Sequence, residues 1–380
     1  MEFNFLEPID DEILQYVVNL SSQQLGSKIV FHSASESPDL SKIQIAIIGV
    51  LEERKDKTLT DLKCVRKEFY SLFPGNWEAS IADLGNILPG NSPKDTYFAL
   101  QELVSSLLKI NIIPIVIGGS QDLTYALYRS YDRLEQMVNL VSIDSKFDFG
   151  KESDDIALAS YLTKIVLDEP CNLFNFCNIG YQTYLNSQEE IDLIEKLFFD
   201  GYRLGDISNN ISLAEPVFRD ADIVSLDLTS IQSSDSGNFH NFNPNGFTGR
   251  EICTLSRYAG LSDKVSVFGV FNHNDNEQES KLMSQIIWYF VEGFHYRSNE
   301  YPFGRKDNYL RYIIPLENEE LIFYKSHKSG RWWIEIPYLL KSNTKLKKST
   351  LLPCSYEEYL AACNQEIPER WWKAQRKNVI

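Results

Sequence analysis

Three aspartates are the residues of this chain whose types and spacing point most directly to chemistry: Asp144, Asp148 and Asp227. Two of them are four residues apart, and the third belongs to a separate apolar segment. Carboxylates that are brought together repel one another, so such a cluster requires a cation or a bound proton. Oxygen ligands suit Mn²⁺, Mg²⁺ or Ca²⁺ better than Zn²⁺. The spacing alone is weak support for a metal site, because many similar pairs are solvated or cap helices.

Short apolar runs lead to these aspartates and to several other polar residues. The runs cover residues 113–117, 138–143, 223–228 and 265–271, and their polar ends carry Gln121, Asp144, Asp227, Asn272 and His273. Each run has the length and composition of a buried strand. Because sites in open parallel sheets are built at the carboxyl ends of strands, we expect these side chains to meet at one edge of a sheet.

Predicted strands and helices alternate through most of the chain. Ser92 and Pro93 form a good helix start, and apolar residues follow them at helical spacing. Further helices are predicted from 122 and over 157–167, 188–199, 249–259 and 278–290, and further strands over 43–50, 79–84 and 173–179. Apolar strands of this kind are typical of a parallel sheet covered on both faces. We therefore predict a three-layer α/β/α domain over residues 41–300, after an N-terminal lead-in over residues 1–40.

Residues 301–380 have a different character and are predicted to form a C-terminal extension. Antiparallel strands are expected over residues 310–315, 320–327 and 331–337, and short helices after Ser355 and from Pro368. Trp332, Trp333, Trp371 and Trp372 are costly to leave in water, so we expect the extension to pack on the α/β domain. The alternative is that some of these tryptophans form a patch that binds another protein.

Composition excludes several classes of function. The 380 residues are 43% hydrophobic and carry a net charge of -16, which disfavours nucleic acid or an anionic membrane as the main partner. We find no apolar run of 18 residues and no basic leader before an apolar segment, so we expect a cytoplasmic protein without membrane insertion. The six cysteines contain no CxxC pair and are interpreted as reduced thiols.

The motifs around the aspartates resemble those of the ureohydrolases, the family of arginase, agmatinase and formimidoylglutamase. The family motif Gly-Gly-x-His corresponds to Gly-Gly-Ser-Gln at residues 118–121, and Asp-Ala-His-x-Asp corresponds to Asp-Ser-Lys-Phe-Asp at 144–148. The motif Ser-x-Asp-x-Asp corresponds to Ser-Leu-Asp-Leu-Thr at 225–229, and residues 243–251 are similar to a further family segment. The resemblance covers roughly residues 40–295. It implies an arginase-like α/β/α fold and a site in which two manganese ions activate a hydroxide.

The same resemblance implies that half of the metal ligands have been lost. Three expected ligands are present as Asp144, Asp148 and Asp227, whereas the other three positions hold Gln121, Lys146 and Thr229. The family's acid that faces the substrate falls at about Asn272, with His273 beside it at the rim of the pocket. A protonated lysine cannot bind a metal, so we expect the Lys146 ammonium to lie among the aspartates in place of an ion.

Our leading hypothesis is a pseudoenzyme, a ureohydrolase-fold protein without turnover, which acts as a structural protein or binds an unidentified protein partner. It would need no cofactor, or would keep one divalent ion such as Mn²⁺ at Asp144, Asp148 and Asp227. The alternative is a hydrolase of linear amidines or guanidino compounds of the formimidoylglutamate type, which uses that single metal ion. A homo-oligomer remains open, because the family often forms trimers or hexamers.

Overall fold

A computed structural model describes residues 5–52, 61–134, 136–150, 160–300, 302, 308–316, 319–337 and 351–379. The strands are β1 (Leu6–Glu7), β2 (Val30–Phe31), β3 (Ile45–Val50), β4 (Ile81–Ile87), β5 (Ile113–Ile117), β6 (Val138–Ile143), β7 (Leu173–Tyr181), β8 (Asp200–Arg203), β9 (Ile223–Asp227), β10 (Val267–Phe271), β11 (Tyr309–Pro315), β12 (Glu320–Ser326), β13 (Trp332–Glu335) and β14 (Leu351–Cys354).

The helices follow the strands in most parts of the chain. They are α1 (Asp11–Val18), α2 (Lys63–Ser71), α3 (Pro93–Lys109), α4 (Thr124–Arg129), α5 (Tyr161–Leu167), α6 (Gln188–Lys196), α7 (Leu204–Asn209), α8 (Ala214–Asp220), α9 (Ser233–Ser236), α10 (Gly249–Leu261), α11 (Glu277–His295), α12 (Tyr356–Cys363) and α13 (Glu369–Val379). Short 3₁₀ turns lie at Leu25–Lys28, Leu40–Lys42, Gln121–Leu123, Thr183–Leu185, Ile211–Leu213 and Leu228–Ser230. In the described part of the chain, no helix has both the length and the apolar character needed to cross a bilayer.

Ten strands of the described chain form one sheet, in the order β1-β4-β3-β5-β10-β9-β6-β7-β8, with β2 also paired to β4. β1 runs antiparallel to β4, and the other pairings of this sheet are parallel. The predicted α/β fold with a mostly parallel central sheet is therefore confirmed.

Helices cover both faces of this sheet. Along β3, Ile45 and Ile47 belong to one hydrophobic core, and Ala46 and Ile48 belong to the other. Successive side chains of a strand point to opposite faces, so the fully buried β3 separates two cores. The first core includes residues of α2, α8, α10 and α11, and the second includes residues of α3, α4, α5 and α6. This double burial explains why the central strands are apolar throughout.

Several elements were absent from the sequence-based assignment. Residues 200–220 form β8, α7 and α8, and short pieces of this kind lack the periodicity that marks a longer element. β14 was also missed; it contains Pro353, which normally argues against a paired strand. The helix predicted over 157–167 begins at Tyr161, and residues 157–159 lie outside the described residues.

The C-terminal extension contains a four-stranded antiparallel sheet, ordered β11-β12-β13-β14 within the described residues. Trp332, Trp333 and Trp371 are buried, in small clusters formed by residues of the extension itself. Trp332 and Trp371 share a small core with Phe323 of β12. Trp372 differs, because 38% of its surface stays exposed.

Arg219 of α8 joins the extension to the α/β domain. Its guanidinium donates to the carbonyl of Trp332 at 2.9 Å and to the carbonyl of Cys354 at 3.0 Å. It also lies 4.7 Å from the ring centroid of Trp333 and 3.0 Å from the Glu215 carboxylate. Only 4% of Arg219 is exposed, so these contacts replace water around a buried charge.

We predict that Arg219→Ala lowers the free energy of unfolding by about 3 kcal/mol, because it leaves two buried carbonyls without their charged donor. Urea denaturation followed by circular dichroism measures this change. Arg250→Ala is the matched control, because Arg250 is exposed, and we expect it to change stability by less than about 0.5 kcal/mol. Equal midpoints for the two variants would contradict the proposed role of Arg219.

Candidate functional site

The sheet order brings the predicted site residues to one edge. β5, β10, β9 and β6 are consecutive neighbours, and their carboxyl ends lead to Gln121, Asn272, Asp227 and Asp144. Backbone bonds hold two of these loops together: the Gly118 amide donates to the Val270 carbonyl at 3.0 Å, and the Asn272 amide donates to the Gly119 carbonyl at 2.8 Å. The four segments thus form a continuous rim.

Gly118 and Gly119 make the turn that places Gln121. Their φ angles are +83° and +72°, a region that residues with a side chain rarely adopt. A Cβ on Gly118 would lie 2.8 Å from the Val50 carbonyl oxygen, and one on Gly119 would lie 2.4 Å from a methyl of Leu123. Tight packing between strand and helix accounts for both glycines.

The three aspartates are all buried at this edge, with at most 8% of each exposed. One oxygen of Asp144 accepts from the Lys146 amide at 3.0 Å, and one oxygen of Asp227 accepts from the Thr229 amide at 2.7 Å. Burial raises the pKa of Asp144 well above its ordinary value, and the nearby charges of Asp148 and Asp227 raise this pKa further. The pKa of Asp148 is also raised, first by burial and then by Asp227. Bound protons can therefore relieve the repulsion in this cluster.

Lys146 does not take the place of an ion, and this expectation from the sequence is wrong. Its side chain is exposed, and it forms no ion pair with any carboxylate of the described chain. Both backbone groups of Lys146 face the site, because its amide binds Asp144 and its carbonyl accepts from Asn178 at 2.7 Å. An ammonium is expensive to bury, so it lies in solvent while the next residue, Phe147, is buried.

Gln121 is part of a hydrogen-bonded network of small polar side chains. Its amide nitrogen lies 3.1 Å from the Ser142 hydroxyl and 3.5 Å from the Ser225 hydroxyl. Thr124 and Ser225 hydrogen bond at 2.7 Å, and the Tyr161 hydroxyl lies 3.3 Å from Ser142. All five residues are buried, and none of them carries a charge that binds a cation strongly.

Thr229 and Asn272 lie at the rim. Both are partly exposed, and Asn272 has a φ of +60°, a conformation that asparagine tolerates better than most residues. The backbone of Thr229 is engaged on both sides, since its amide binds Asp227 and its carbonyl accepts from Asn243 at 3.0 Å. A neutral hydroxyl thus stands where the resemblance implies a carboxylate.

Two further titratable side chains, His273 and Glu279, are buried beside this rim. His273 is 5% exposed rather than a rim residue; its ring lies 3.2 Å from the Ser280 hydroxyl, and burial lowers its pKa to about 4. Glu279 is fully buried, accepts a hydrogen bond from the Asn274 amide, and has a pKa raised by burial to about 8. Sequence analysis missed Glu279. Its position three residues after the Asn276 cap could have indicated that its side chain turns back toward the loop.

The donor set does not fit a centre of two metal ions. Three of six positions carry an amide, an ammonium and a hydroxyl, namely Gln121, Lys146 and Thr229. Among the described residues, no group of three histidine, cysteine, aspartate or glutamate side chains is arranged to hold a metal ion. Two buried oxygens, Oδ2 of Asp144 and Oε1 of Gln121, nevertheless have no hydrogen-bond partner in the described chain. Buried acceptors of this kind are usually satisfied by water or a cation.

The sheet edge described above lies in a region that matches a known protein family. The family model described as the arginase family matches residues 59–290, which is more than half of the chain. The matched region contains every site position discussed above. It ends before the C-terminal extension.

Solved structures of three proteins share the fold. A formiminoglutamase of Trypanosoma cruzi with Mn²⁺ has a TM-score of 0.61 at 17% identity, over 69% of this chain and 97% of that chain. The formimidoylglutamase of Bacillus subtilis has a TM-score of 0.62 at 13% identity, over 76% and 100%. An agmatine ureohydrolase of Thermoplasma volcanium has a TM-score of 0.55 at 17% identity, over 75% and 97%. At these identities the likeness concerns the fold.

A curated sequence of a different class is also similar. The type II methyltransferase M.BanI of Aneurinibacillus aneurinilyticus is 24% identical over 293 residues, which is 71% of this chain. The chain spans 63% of the length of that protein.

We predict that Glu279 makes stability fall as pH rises. Its folded pKa of about 8 lies above the ordinary value of 4.5, so the folded state binds the proton more tightly. This contribution is fully present below about pH 4.5 and is lost toward pH 8, at up to about 1.4 kcal/mol per pH unit. The Glu279→Gln variant lacks it.

Urea denaturation at pH 5 and pH 8, compared between the native chain and Glu279→Gln, tests this assignment. The stability advantage of the native chain over the variant should shrink at the higher pH. Glu277→Gln on the same helix is the control, because Glu277 pairs with Lys281 in solvent and its pKa is lowered. A difference between native chain and Glu279→Gln that is equal at both pH values would exclude a raised pKa.

Proposed function

Because the chain belongs to the arginase family, we propose that it keeps the family's fold without turnover of guanidino or amidine compounds. In this proposal, the sheet edge at which relatives would bind metal ions is only a polar part of the core in this chain. The protein acts instead by binding another protein, and the C-terminal extension takes part in that contact.

The observation that carries the proposal is the chemistry of the substituted ligand positions. A hydroxide poised between two metal ions needs a full set of ligands, because the metals lower the pKa of water from near 16 to about 7. Here the Gln121 amide donates to Ser142, the Lys146 ammonium lies in solvent, and Thr229 offers a neutral hydroxyl. These groups support a hydrogen-bonded site rather than a bimetallic one.

The remaining carboxylates are compatible with this interpretation. Burial raises the pKa of both Asp144 and Asp148, so protons can supply the neutralisation that metal ions would supply elsewhere. The Asp144 and Asp227 side chains also accept bonds from the backbone of their own loops. They thereby hold the shape of two strand ends, which is a structural role.

Exposed apolar side chains on the extension support the interaction role. Leu310 and Ile313 of β11 are 43% and 46% exposed, and Tyr356 and Leu360 of α12 are 50% and 43% exposed. These exposed apolar side chains are available for a contact with another protein. The chain is also similar to a methyltransferase, but its net charge of -16 argues against a role in DNA binding.

A second candidate is a hydrolase with one divalent ion, and the unpaired buried oxygens of Asp144 and Gln121 favour it. Asp144, Asp148 and Asp227 would hold the ion, and a single Mn²⁺ would act as a Lewis acid that activates water. Of the residues present, Glu279 would hold a proton beside this site, since it is influenced by Asp227 and has a raised pKa.

We predict that the purified chain, supplied with Mn²⁺, releases neither urea nor formamide from arginine, agmatine, guanidinobutyrate or formimidoylglutamate. Colorimetric urea assays and chromatography of formamide measure this. Turnover at ordinary enzyme rates, about 1 per second or faster, that disappears in Asp148→Ala would refute the proposal and establish the hydrolase.

We further predict that restoring the three lost ligands restores metal binding. The triple variant Gln121→His, Lys146→His and Thr229→Asp should retain Mn²⁺ through desalting, because it completes an oxygen and nitrogen ligand set on an intact fold. Elemental analysis compares it with the native chain, and adding Asp148→Ala to the triple variant is the control. Equal and stoichiometric Mn²⁺ in the native chain would show that its site was never lost.

A further inference from the structure

A pocket of about 390 Å³ lies between α6 of the α/β domain and α13 of the extension. We call it the aromatic pocket, because five aromatic side chains line it: Phe147, Tyr181, Phe198, Phe199 and Trp372. Its volume is that of a site for a small molecule. It is distinct from the cluster of aspartates, although Phe147 belongs to the loop between Asp144 and Asp148.

The walls of the aromatic pocket are held in place on two sides. Phe147 and Tyr181 pack with their ring centroids 4.8 Å apart, and Gly201 leaves room beside them. On the other side, the edge of Phe198 meets Trp372 at 5.6 Å between centroids. Trp372 is the one of the four tryptophans of the extension that keeps 38% of its surface exposed, and it does so at this pocket.

The backbone at Phe198 adopts a left-handed conformation at the end of α6. Its φ is +55°, and a bulky aromatic residue rarely adopts this left-handed conformation. Phe198 closes the C-terminus of α6 in a Schellman motif, in which the Phe198 amide donates to the Glu195 carbonyl at 3.0 Å and the Phe199 amide donates to the Ile194 carbonyl at 2.9 Å. Here the conformation places the Phe198 ring against Trp372 and completes one wall.

The residues that line the pocket carry one more negative charge than positive charge. Glu195 and Glu369 line it, together with Lys373. The Lys373 ammonium is already occupied, because it lies 2.8 Å from Glu369 and 3.3 Å from Asp200, and it donates to the Phe199 carbonyl at 3.2 Å. The charge of Glu195 has no such partner among the described ion pairs. The lining of the pocket therefore combines aromatic rings with a net negative charge.

We propose that the aromatic pocket binds a small organic cation of the alkylammonium or quaternary ammonium type. The faces of tryptophan, tyrosine and phenylalanine attract such cations, and a ring of several aromatic side chains replaces their weak hydration. The same aromatic side chains already attract cations of the chain: Arg376 lies 5.3 Å from the Trp372 ring, and Lys377 lies 5.3 Å from the Phe199 ring. Neither of these residues lines the pocket.

This site depends on the extension, because Glu369 and Trp372 lie beyond residues 59–290, which match the arginase family. It goes beyond the proposed function and does not depend on it. Choline binding is therefore measured separately from the hydrolase assays, and neither result decides the other.

Isothermal titration of the full chain with choline tests the proposal. We expect saturable binding with one site, and no binding of the neutral isostere in which a tert-butyl group replaces the trimethylammonium group. Equal affinity for both compounds would overturn the proposal, since it would show an apolar site without preference for charge. Absence of choline and tetramethylammonium binding would overturn it as well.

Two variants assign the binding to this pocket. Trp372→Leu keeps an apolar side chain and removes the π face, and it should weaken choline binding about tenfold. Glu195→Gln should weaken it about threefold and should make binding less sensitive to salt. The controls are Phe242→Leu, an exposed aromatic residue elsewhere, and Glu189→Gln on the same helix as Glu195. Unchanged affinity in Trp372→Leu, with an unchanged circular dichroism spectrum, would place the binding elsewhere and refute the assignment.

Discussion

Burial of three carboxyl groups at neighbouring strand ends is the constraint on which the rest of this site depends. Asp144, Asp148 and Asp227 lie where water is largely excluded, so their charges must be balanced locally. A metal ion is one solution, and a bound proton is another. The structure raises the pKa of Asp144 and Asp148, so the site can remain folded with protons in place of metal. In the proposed function, these protons are what allows the edge to carry Gln121, Lys146 and Thr229 at positions where the resemblance implies metal ligands.

The sequence predicted the parts of the structure that local patterns determine. Apolar runs identified β5 and β6 to the residue, because a central parallel strand is apolar on both faces. The N-cap serine and proline at Ser92 and Pro93, and the capping box that begins at Ser355, identified two helix starts because these residue types form the cap themselves. The aspartates were also located correctly at one edge, because sites in open parallel sheets form at the carboxyl ends of the strands.

Other features depend on tertiary contacts and were therefore not predictable from local patterns. Whether Lys146 points inward or outward depends on how its backbone bonds to Asp144 and Asn178. The electrostatic argument that placed it among the aspartates ignored the cost of burying an ammonium. Glu279 was missed because its chemistry comes from complete burial, and the cap at Asn276 indicates only the direction of its side chain and not its burial. The short elements between 200 and 220 are stabilised mainly by packing rather than by their own propensities.

The two-residue strand β1 protects part of the outer edge of β4. β1 pairs Leu6 and Glu7 with Asn86 and Ile87, and so covers one end of the outer side of β4 while β2 covers the other end. β4 is buried and largely apolar, and an uncovered strand of this kind is a template for pairing with another chain. β1 thus blocks one part of this edge, and its removal would leave that part of β4 open to pairing with another chain.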